Sequence, residues 1–280
     1  MALSRRLTTP AEMRRTARWF APVSRSITGY LPALVLLAAL VGVWEAWVRI
    51  ANTPTYILPA PSRIWDAFFG IRQTLPHHIR TTVMESLLGL GAAVVVGVTI
   101  AVLIASVPLV RRVLYPIIVV SQTIPMVALA PLLIVWYGFG LTPKIIIVAL
   151  VCFFPIVVST VDGLITGADR EMIALVRSMG ASRTQILRFV RIPAALPGFF
   201  AGLKIAAAYA VTGAVVGEWI SASSGLGVVI TRSQASFRID RVFVAVVFIA
   251  LLSIALFAIV QVLARLATPW MYAHSTEEPK

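Results

Sequence analysis

The sequence predicts an all-α integral membrane protein with six transmembrane helices. Two features of the composition support this fold class: 59% of the 280 residues are hydrophobic and only 12% are charged, with a mean hydropathy of +0.93. An ordinary soluble domain has about 25% charged residues. The apolar residues also lie in long unbroken runs, and a helix needs about 20 such residues to cross the hydrocarbon layer of a bilayer.

The same composition excludes several other classes of protein. Disordered chains are polar and rich in charge, and a disulfide scaffold needs many cysteines, whereas this chain has only Cys152. The strands of a transmembrane β-barrel alternate apolar and polar residues, unlike these runs. The net charge of +13 lies between the apolar runs. We therefore expect the lipid bilayer to be the partner of these charges, and no nucleic acid.

The first 80 residues are expected to form a tail, one span and an outer loop. Residues 1–30 carry six arginines and one acid, so this basic tail is expected to stay in the cytoplasm. Residues 31–50 form the first span, which is too long for the core of a signal peptide. Residues 51–80 form the outer loop. Within it, 62–71 predicts a helix capped by Ser62, lying either at the membrane interface or on the protein itself.

The remaining spans belong to a core over residues 81–265. They are expected at about 86–107, 116–137, 144–161, 194–220 and 242–264. A cytoplasmic loop, 162–193, is expected to join the spans 144–161 and 194–220. A cytoplasmic tail is expected at 266–280. Lysine and arginine are more numerous in the segments on the side of the N-terminal tail, which predicts that both termini are cytoplasmic.

The sequence shows no recognisable catalytic set or metal site. The His77–His78 pair has no third ligand in sight, and no nucleophile elbow is present. A phosphate-binding loop needs a glycine followed by lysine, but none of Lys144, Lys204 and Lys280 follows a glycine. We therefore expect this chain to be non-catalytic and to hold no cofactor, so any ATP and Mg²⁺ used in transport would be bound by another subunit.

The cytoplasmic loop predicts two short helices. Asp169 is a plausible cap for the first, which carries an apolar stripe, and Ser182 is a plausible cap for the second. The stripe consists of Met172, Leu175, Val176 and Met179. Such a pattern fits an amphipathic loop on the membrane surface, and it fits equally a docking helix for a cytosolic partner.

Three sequence stretches in this chain resemble a known family. ALVRSMGASRTQILRFVRIPAALP (174–197) is similar to the EAA loop of permease subunits in bacterial binding-protein-dependent ABC importers. YILPAPSRIW (56–65) and GEWISASSGLGVVI (217–230) resemble the branch that imports nitrate, sulfonates, taurine and pyrimidine vitamin precursors. Gly180-Ala181 matches the centre of the loop motif, whereas Ala174 replaces the glutamate that gives the motif its name.

The resemblance implies a type I ABC importer permease fold in the bacterial inner membrane. It implies a second permease chain in a homodimer, a dimer of cytosolic ATPases and an extracytoplasmic solute-binding protein. It also implies that the segment before Gly180-Ala181 seats on the ATPase. Carried over to this sequence, the coupling residues are Glu171, Met172, Leu175, Val176, Met179, Gly180 and Ala181.

A few polar or helix-breaking residues inside the spans are candidates for the translocation path. Pro125 predicts a kink in the third span, and Gln122 and Thr123 beside it face either the path or packed neighbours. Lys204 either extends to the interface or lines the path, where it would attract an anion. Glu218 lies near the outer end of its span, either in the head-group layer or at the outer mouth.

Other functions fit the sequence less well. An ion-coupled secondary transporter is the main alternative, but such proteins usually show an internal repeat and acids at mid-membrane. A channel would need a filter or a ring of like charge, and an intramembrane enzyme a catalytic constellation. The solute stays open between a small anion, such as a sulfonate or nitrate, and a pyrimidine or riboflavin type of vitamin precursor.

Overall fold

The computed structural model describes residues 24–273, and all regular structure in that range is helical. In chain order, the first six helices are α1 (Ser24–Ile50), α2 (Pro61–Ile71), α3 (Leu75–Ser106), α4 (Pro108–Ser121), α5 (Met126–Tyr137) and α6 (Leu141–Thr166). The next six are α7 (Arg170–Ser178), α8 (Arg183–Ile186), α9 (Ile192–Ser221), α10 (Leu226–Ala235), α11 (Ile239–Ala267) and α12 (Pro269–Ala273). A π-helical turn, Leu187–Arg191, joins α8 to α9.

Among residues 24–273, five helical segments are long and apolar enough to cross a membrane. They are residues 31–50 of α1, the whole of α3, α6 and α11, and the continuous run 183–220 that contains α9. Helices α4 and α5 form a sixth span if this bent pair is counted as one. The predicted all-α membrane fold is therefore confirmed.

Helix α3 extends well beyond its apolar stretch. It begins at Leu75, whereas hydropathy alone places the span at about 86–107, because Pro76 is tolerated in a first helical turn where no intrahelical N–H bond is required. The helix thus includes the polar segment from His77 to Glu85. These polar residues form part of a packed helix instead of a loop.

The third predicted span contains a sharp corner. Helices α4 and α5 meet at an angle of 101°, across residues 122–125. Pro125 has no N–H to continue the ladder of α4, and its extended backbone (ψ 118°) starts α5 in a new direction. The kink predicted from Pro125 is therefore a complete break between two helices.

The chain divides into two compact units, residues 1–63 and 64–280. In the first, Glu45 links the end of α1 to the start of α2. Its carboxylate accepts hydrogen bonds from Arg49 Nε (2.6 Å), Ser62 N (3.0 Å) and Ser62 Oγ (2.8 Å). Since α2 begins at Pro61, Ser62 lies in the first turn of that helix and is not its cap.

Helix α9 is the central element of the second unit, packed on α6, α3 and α11. Small side chains allow this close packing: Ala206, Ala207, Ala210 and Ala214 are completely buried against α3 and α6. Gly202 packs directly on the backbone of Pro155 in α6, where a side chain would collide. The pairs Gly198/Gly202 and Gly213/Gly217, each four residues apart in α9, all face α6 and thus serve packing inside the chain, as small residues do between membrane helices.

Candidate functional site

Both short helices in the loop between α6 and α9 are capped at their N-termini by side chains of the loop. The Asp169 carboxylate accepts a hydrogen bond from the N–H of Glu171 (3.0 Å), which caps α7. Ser182 and Gln185 form a reciprocal capping box at the start of α8, with distances of 2.8 and 3.3 Å. Both caps predicted from the sequence are confirmed, and the local backbone of the loop is fully specified by its own residues.

The turn between α7 and α8 requires glycine. Gly180 has a φ of +89°, in the left-handed region that costs other residues about 1–2 kcal/mol. The N–H of Gly180 donates to the carbonyl of Arg177, and the N–H of Ala181 donates to that of Val176. This pair of bonds is a Schellman motif, which ends α7 abruptly and fixes the direction of its last turn.

The apolar face of α7 is uncovered in this chain. Met172, Leu175 and Met179 are 54, 62 and 78% exposed, and Val176 is half-buried. The main packing of α7 within the described residues is on the small helix α8. Glu171 is exposed beside this face, and Ala181 is half-buried behind it. The helix therefore presents a row of large flexible side chains that no neighbouring element covers.

The path candidates predicted from the sequence do not come together at one place in the chain. Gln122, Thr123 and Pro125 lie on the surface at the corner between α4 and α5, with the Thr123 hydroxyl bonded to the carbonyl of Val120 (2.8 Å). Lys204 is half-buried in α9. Glu218 is only 1% exposed and is bonded within the chain, so it does not lie at the surface.

A buried ion pair was not foreseen from the sequence. Lys144 Nζ donates to Glu85 Oε1 at 2.6 Å, and both residues are buried. The sequence placed Lys144 at the first residue of the span 144–161, without identifying a partner. The stem of Lys144 packs against Gly217, with its Cγ 3.3 Å from the place a Cβ would occupy. The sequence contains one indication of this ion pair: a single lysine stands at the start of the apolar run of α6, and the helix that packs on it, α9, is rich in glycine.

Glu218 anchors the loop between α9 and α10. Its carboxylate accepts hydrogen bonds from Thr82 Oγ1 (2.6 Å) and from the N–H of Gly227 (2.6 Å). Thr82 in turn accepts from the N–H of Leu226 (2.9 Å). Gly225 has a φ of +129°, and a Cβ there would collide with the Glu218 carboxylate. The sequence GLG thus allows the backbone to wrap closely around a buried acid.

The histidine pair also belongs to this loop. His78 Nδ1 accepts a hydrogen bond from the N–H of Gly225 (3.0 Å). Among the described residues no group of three or more possible metal ligands occurs. The structure therefore gives His78 a role in holding the loop, together with Thr82 and Glu218.

Thr82→Val is expected to release this loop. The change leaves the Leu226 amide without its acceptor, and the buried Glu218 carboxylate keeps only the N–H of Gly227 as a donor, at a cost of about 1.5–3 kcal/mol. Amide hydrogen exchange at residues 225–227 should then accelerate about tenfold or more. Thr99→Val is the matched control, because the Thr99 hydroxyl bonds only the carbonyl of Val95 in its own helix. Equal exchange in the two variants would contradict the anchoring role.

Residues 93–271 match the family described as binding-protein-dependent transport system inner membrane components. The match covers more than half of the chain. The chain belongs to this family. It is thus a transport permease of the ABC class, as the resemblance of the EAA-type loop implied, and a multi-pass membrane protein. The ion-coupled secondary transporter considered as the alternative is not favoured.

Individual relatives cover nearly the whole permease. It is 35% identical over 249 residues to the formylaminopyrimidine transport permease ThiX of Halalkalibacterium halodurans, covering 89% of this chain and 98% of ThiX. It is 37% identical over 246 residues to the riboflavin permease RibX of Chloroflexus aurantiacus, covering 85% and 91%. It is 30% identical over 263 residues to the taurine permease TauC of Escherichia coli, covering 91% and 94%.

The fold of the permease is that of a solved ABC importer. Inward-facing structures of the MetNI methionine ABC transporter contain a chain that matches it with a TM-score of 0.56 and 22% identity. The match covers 69% of the permease and 97% of that chain. At this identity the likeness establishes the fold alone, and the type I importer fold expected from the sequence is confirmed.

Proposed function

We propose that the permease pairs with a second copy of itself and with two cytosolic ATPases, and forms the path for a solute delivered by a binding protein. The observation that carries this proposal is the uncovered apolar face of α7, held rigid by Asp169 at one end and by Gly180 at the other. Helix-in-groove contacts use apolar anchors at this spacing. ATP and Mg²⁺ are assigned to the ATPase, because no lysine of this chain follows a glycine in a phosphate-binding loop.

The solute proposed is a nitrogen heterocycle of the pyrimidine or riboflavin kind. ThiX and RibX are 35 and 37% identical to the permease, against 30% for TauC. A taurine-like sulfonate is the second candidate, favoured by the half-buried Lys204 in α9. Uptake of a labelled pyrimidine, of riboflavin and of taurine, each measured with the same preparation of the permease, distinguishes the heterocycle from the sulfonate as the solute.

The orientation proposed has the loop 162–193 and both termini in the cytoplasm. Arg170, Arg177, Arg183, Arg188 and Arg191 all lie in this loop, as the positive-inside rule requires. The solute would then be received on the opposite side, where the Glu218-anchored loop lies.

Purification from the native membrane in mild detergent tests the proposal. An ATPase and a second permease chain are expected to co-purify. After reconstitution, uptake from a binding protein outside should require ATP inside the vesicles, on the side of α7, and should persist with an uncoupler. A chain that purifies alone and carries solute in vesicles without ATP would overturn the proposal.

A further inference from the structure

A basic cavity lies at the end of the helix bundle where α3 stops and the α7–α8 loop begins. It has a volume of about 620 Å³. Four arginines line it: Arg111 at the start of α4, Arg177 in α7, Arg183 in α8 and Arg191 in the π-helical turn. The ends of two apolar spans, at Ile104 and Ile165, form its inner wall. This placement puts the cavity at the depth where hydrocarbon gives way to lipid head groups.

Within the part of the chain that the structure describes, no ion pair compensates the charges in the cavity. The ion pairs of the described residues lie elsewhere, at Glu45–Arg49, Glu85–Lys144 and Arg238–Asp240. No acidic side chain lines the cavity, and the Nε of Arg191 is buried without a hydrogen-bond partner. A guanidinium forms paired hydrogen bonds to phosphate more readily than an ammonium does. The missing partner is therefore an anion, best supplied by a phosphate.

An apolar groove lies about one helical turn from this cavity. It has a volume of about 190 Å³ and lies between α3, α6 and α9, lined by Val98, Val102, Leu164, Ile192 and Phe199 among others. The two spaces share helix faces: Val102 of the groove is one turn from Ala105 of the cavity, and Ala195 is one turn from Arg191. A basic pocket and an apolar groove are thus lined by neighbouring turns of the same helices.

We propose that this combined site binds an anionic phospholipid, with its phosphate among the four arginines and one acyl chain in the groove. A small soluble anion would explain the arginines but not the neighbouring groove. An acidic surface of the ATPase would likewise leave the groove empty. The site itself requires only that the chain spans a membrane. Its assignment to the cytoplasmic leaflet, where anionic lipid attracts basic segments, rests on the proposed orientation.

Native mass spectrometry of the purified full-length permease tests this site. Phosphatidylglycerol and phosphatidylcholine with identical acyl chains are titrated separately, and glycerol 1-phosphate is added as a soluble competitor. Phosphatidylglycerol should stay bound where phosphatidylcholine does not. Arg111→Gln/Arg191→Gln should weaken phosphatidylglycerol binding by about tenfold or more. The matched control is Arg63→Gln/Arg72→Gln, because both arginines are exposed on α2 or just beyond it and outside the cavity.

Each outcome decides the matter. Equal binding of the two lipids, or unchanged binding by the cavity variant, would overturn the proposal. Displacement by glycerol 1-phosphate at the concentration of the lipid would show a site for soluble anions instead. If the double variant does not fold, the single change Arg111→Gln at an exposed side chain replaces it, and a photoactivatable phosphatidylglycerol should crosslink to residues of α3, α6 or α9 along the groove. None of these measurements involves ATP, so they succeed or fail independently of the importer assignment.

Discussion

Leu175→Glu is expected to separate the permease from the ATPase proposed as its partner, without unfolding the permease. Leu175 is 62% exposed in the middle of the apolar face of α7, so a charge there costs this chain little. In a complex, the same charge would be buried in an apolar groove without a partner, which costs several kcal/mol. We expect co-purification of the ATPase to fall by at least about a hundredfold, and ATP-driven uptake to be lost with it.

Ala174→Glu is the matched control for this change. It adds the same side chain to the neighbouring residue, which is also exposed but lies off the apolar stripe. The EAA-type motif that this loop resembles has glutamate at this position, so we expect the complex to persist. Loss of the ATPase in both variants would indicate a general effect of negative charge. Retention in both would show that the face of α7 is not the docking surface.

Lys144→Met is expected to have the largest effect on stability. It leaves the buried carboxylate of Glu85 without its cation, and breaking a buried pair by removing one partner costs about 3–5 kcal/mol. Glu85 Oε2 lacks a hydrogen-bond donor, so Lys144 supplies the cation and the hydrogen bond at Oε1 that this carboxylate would lose. A large drop in the thermal unfolding temperature of the detergent-solubilised permease measures the loss.

Glu85→Gln/Lys144→Met should recover most of this stability, because neither a carboxylate nor an ammonium is then left unpaired at the Glu85–Lys144 contact. Arg238→Met is the surface control. The Arg238–Asp240 pair also joins a cation to a carboxylate, at 3.0 Å, but Arg238 is exposed, and such pairs contribute about 1 kcal/mol or less. A single Lys144→Met variant as stable as the Arg238 control would disprove the structural role of the buried pair.

Sequence reasoning located those features that depend on local pattern. The spans follow from runs of apolar residues, and α7 follows from a cap, an apolar stripe and a glycine within a dozen residues. Asp169, Ser182 and Gly180 each act on backbone groups within a few positions, so their roles are visible in the sequence. The docking partner itself was indicated by resemblance and not by this pattern.

The buried polar cluster could not be found in this way, because its members meet only in the folded chain. Glu85 and Lys144 are 59 positions apart, and Thr82 and Glu218 are 136 apart. Hydropathy assigns such residues to the ends of spans, where charge is inexpensive. Only the packing of α3, α6 and α9 shows that the ends are covered. The same limit applies to the cavity, whose four arginines come from separate elements.

Residues 183–220 form one continuous helical segment that connects the docking loop to the Glu218-anchored loop. With 38 residues, this segment measures about 57 Å. One end of the segment is α8, next to α7. The other end contains Glu218, which accepts a hydrogen bond from the N–H of Gly227 in the first turn of α10, next to the loop between α9 and α10. A tilt of about 5° at one end therefore displaces the other by about 5 Å. In the proposed orientation, a displacement of α7 would reach the solute-receiving side as a movement of the Glu218-anchored loop. The π-helical turn Leu187–Arg191 is the place within this segment where part of the movement could be absorbed.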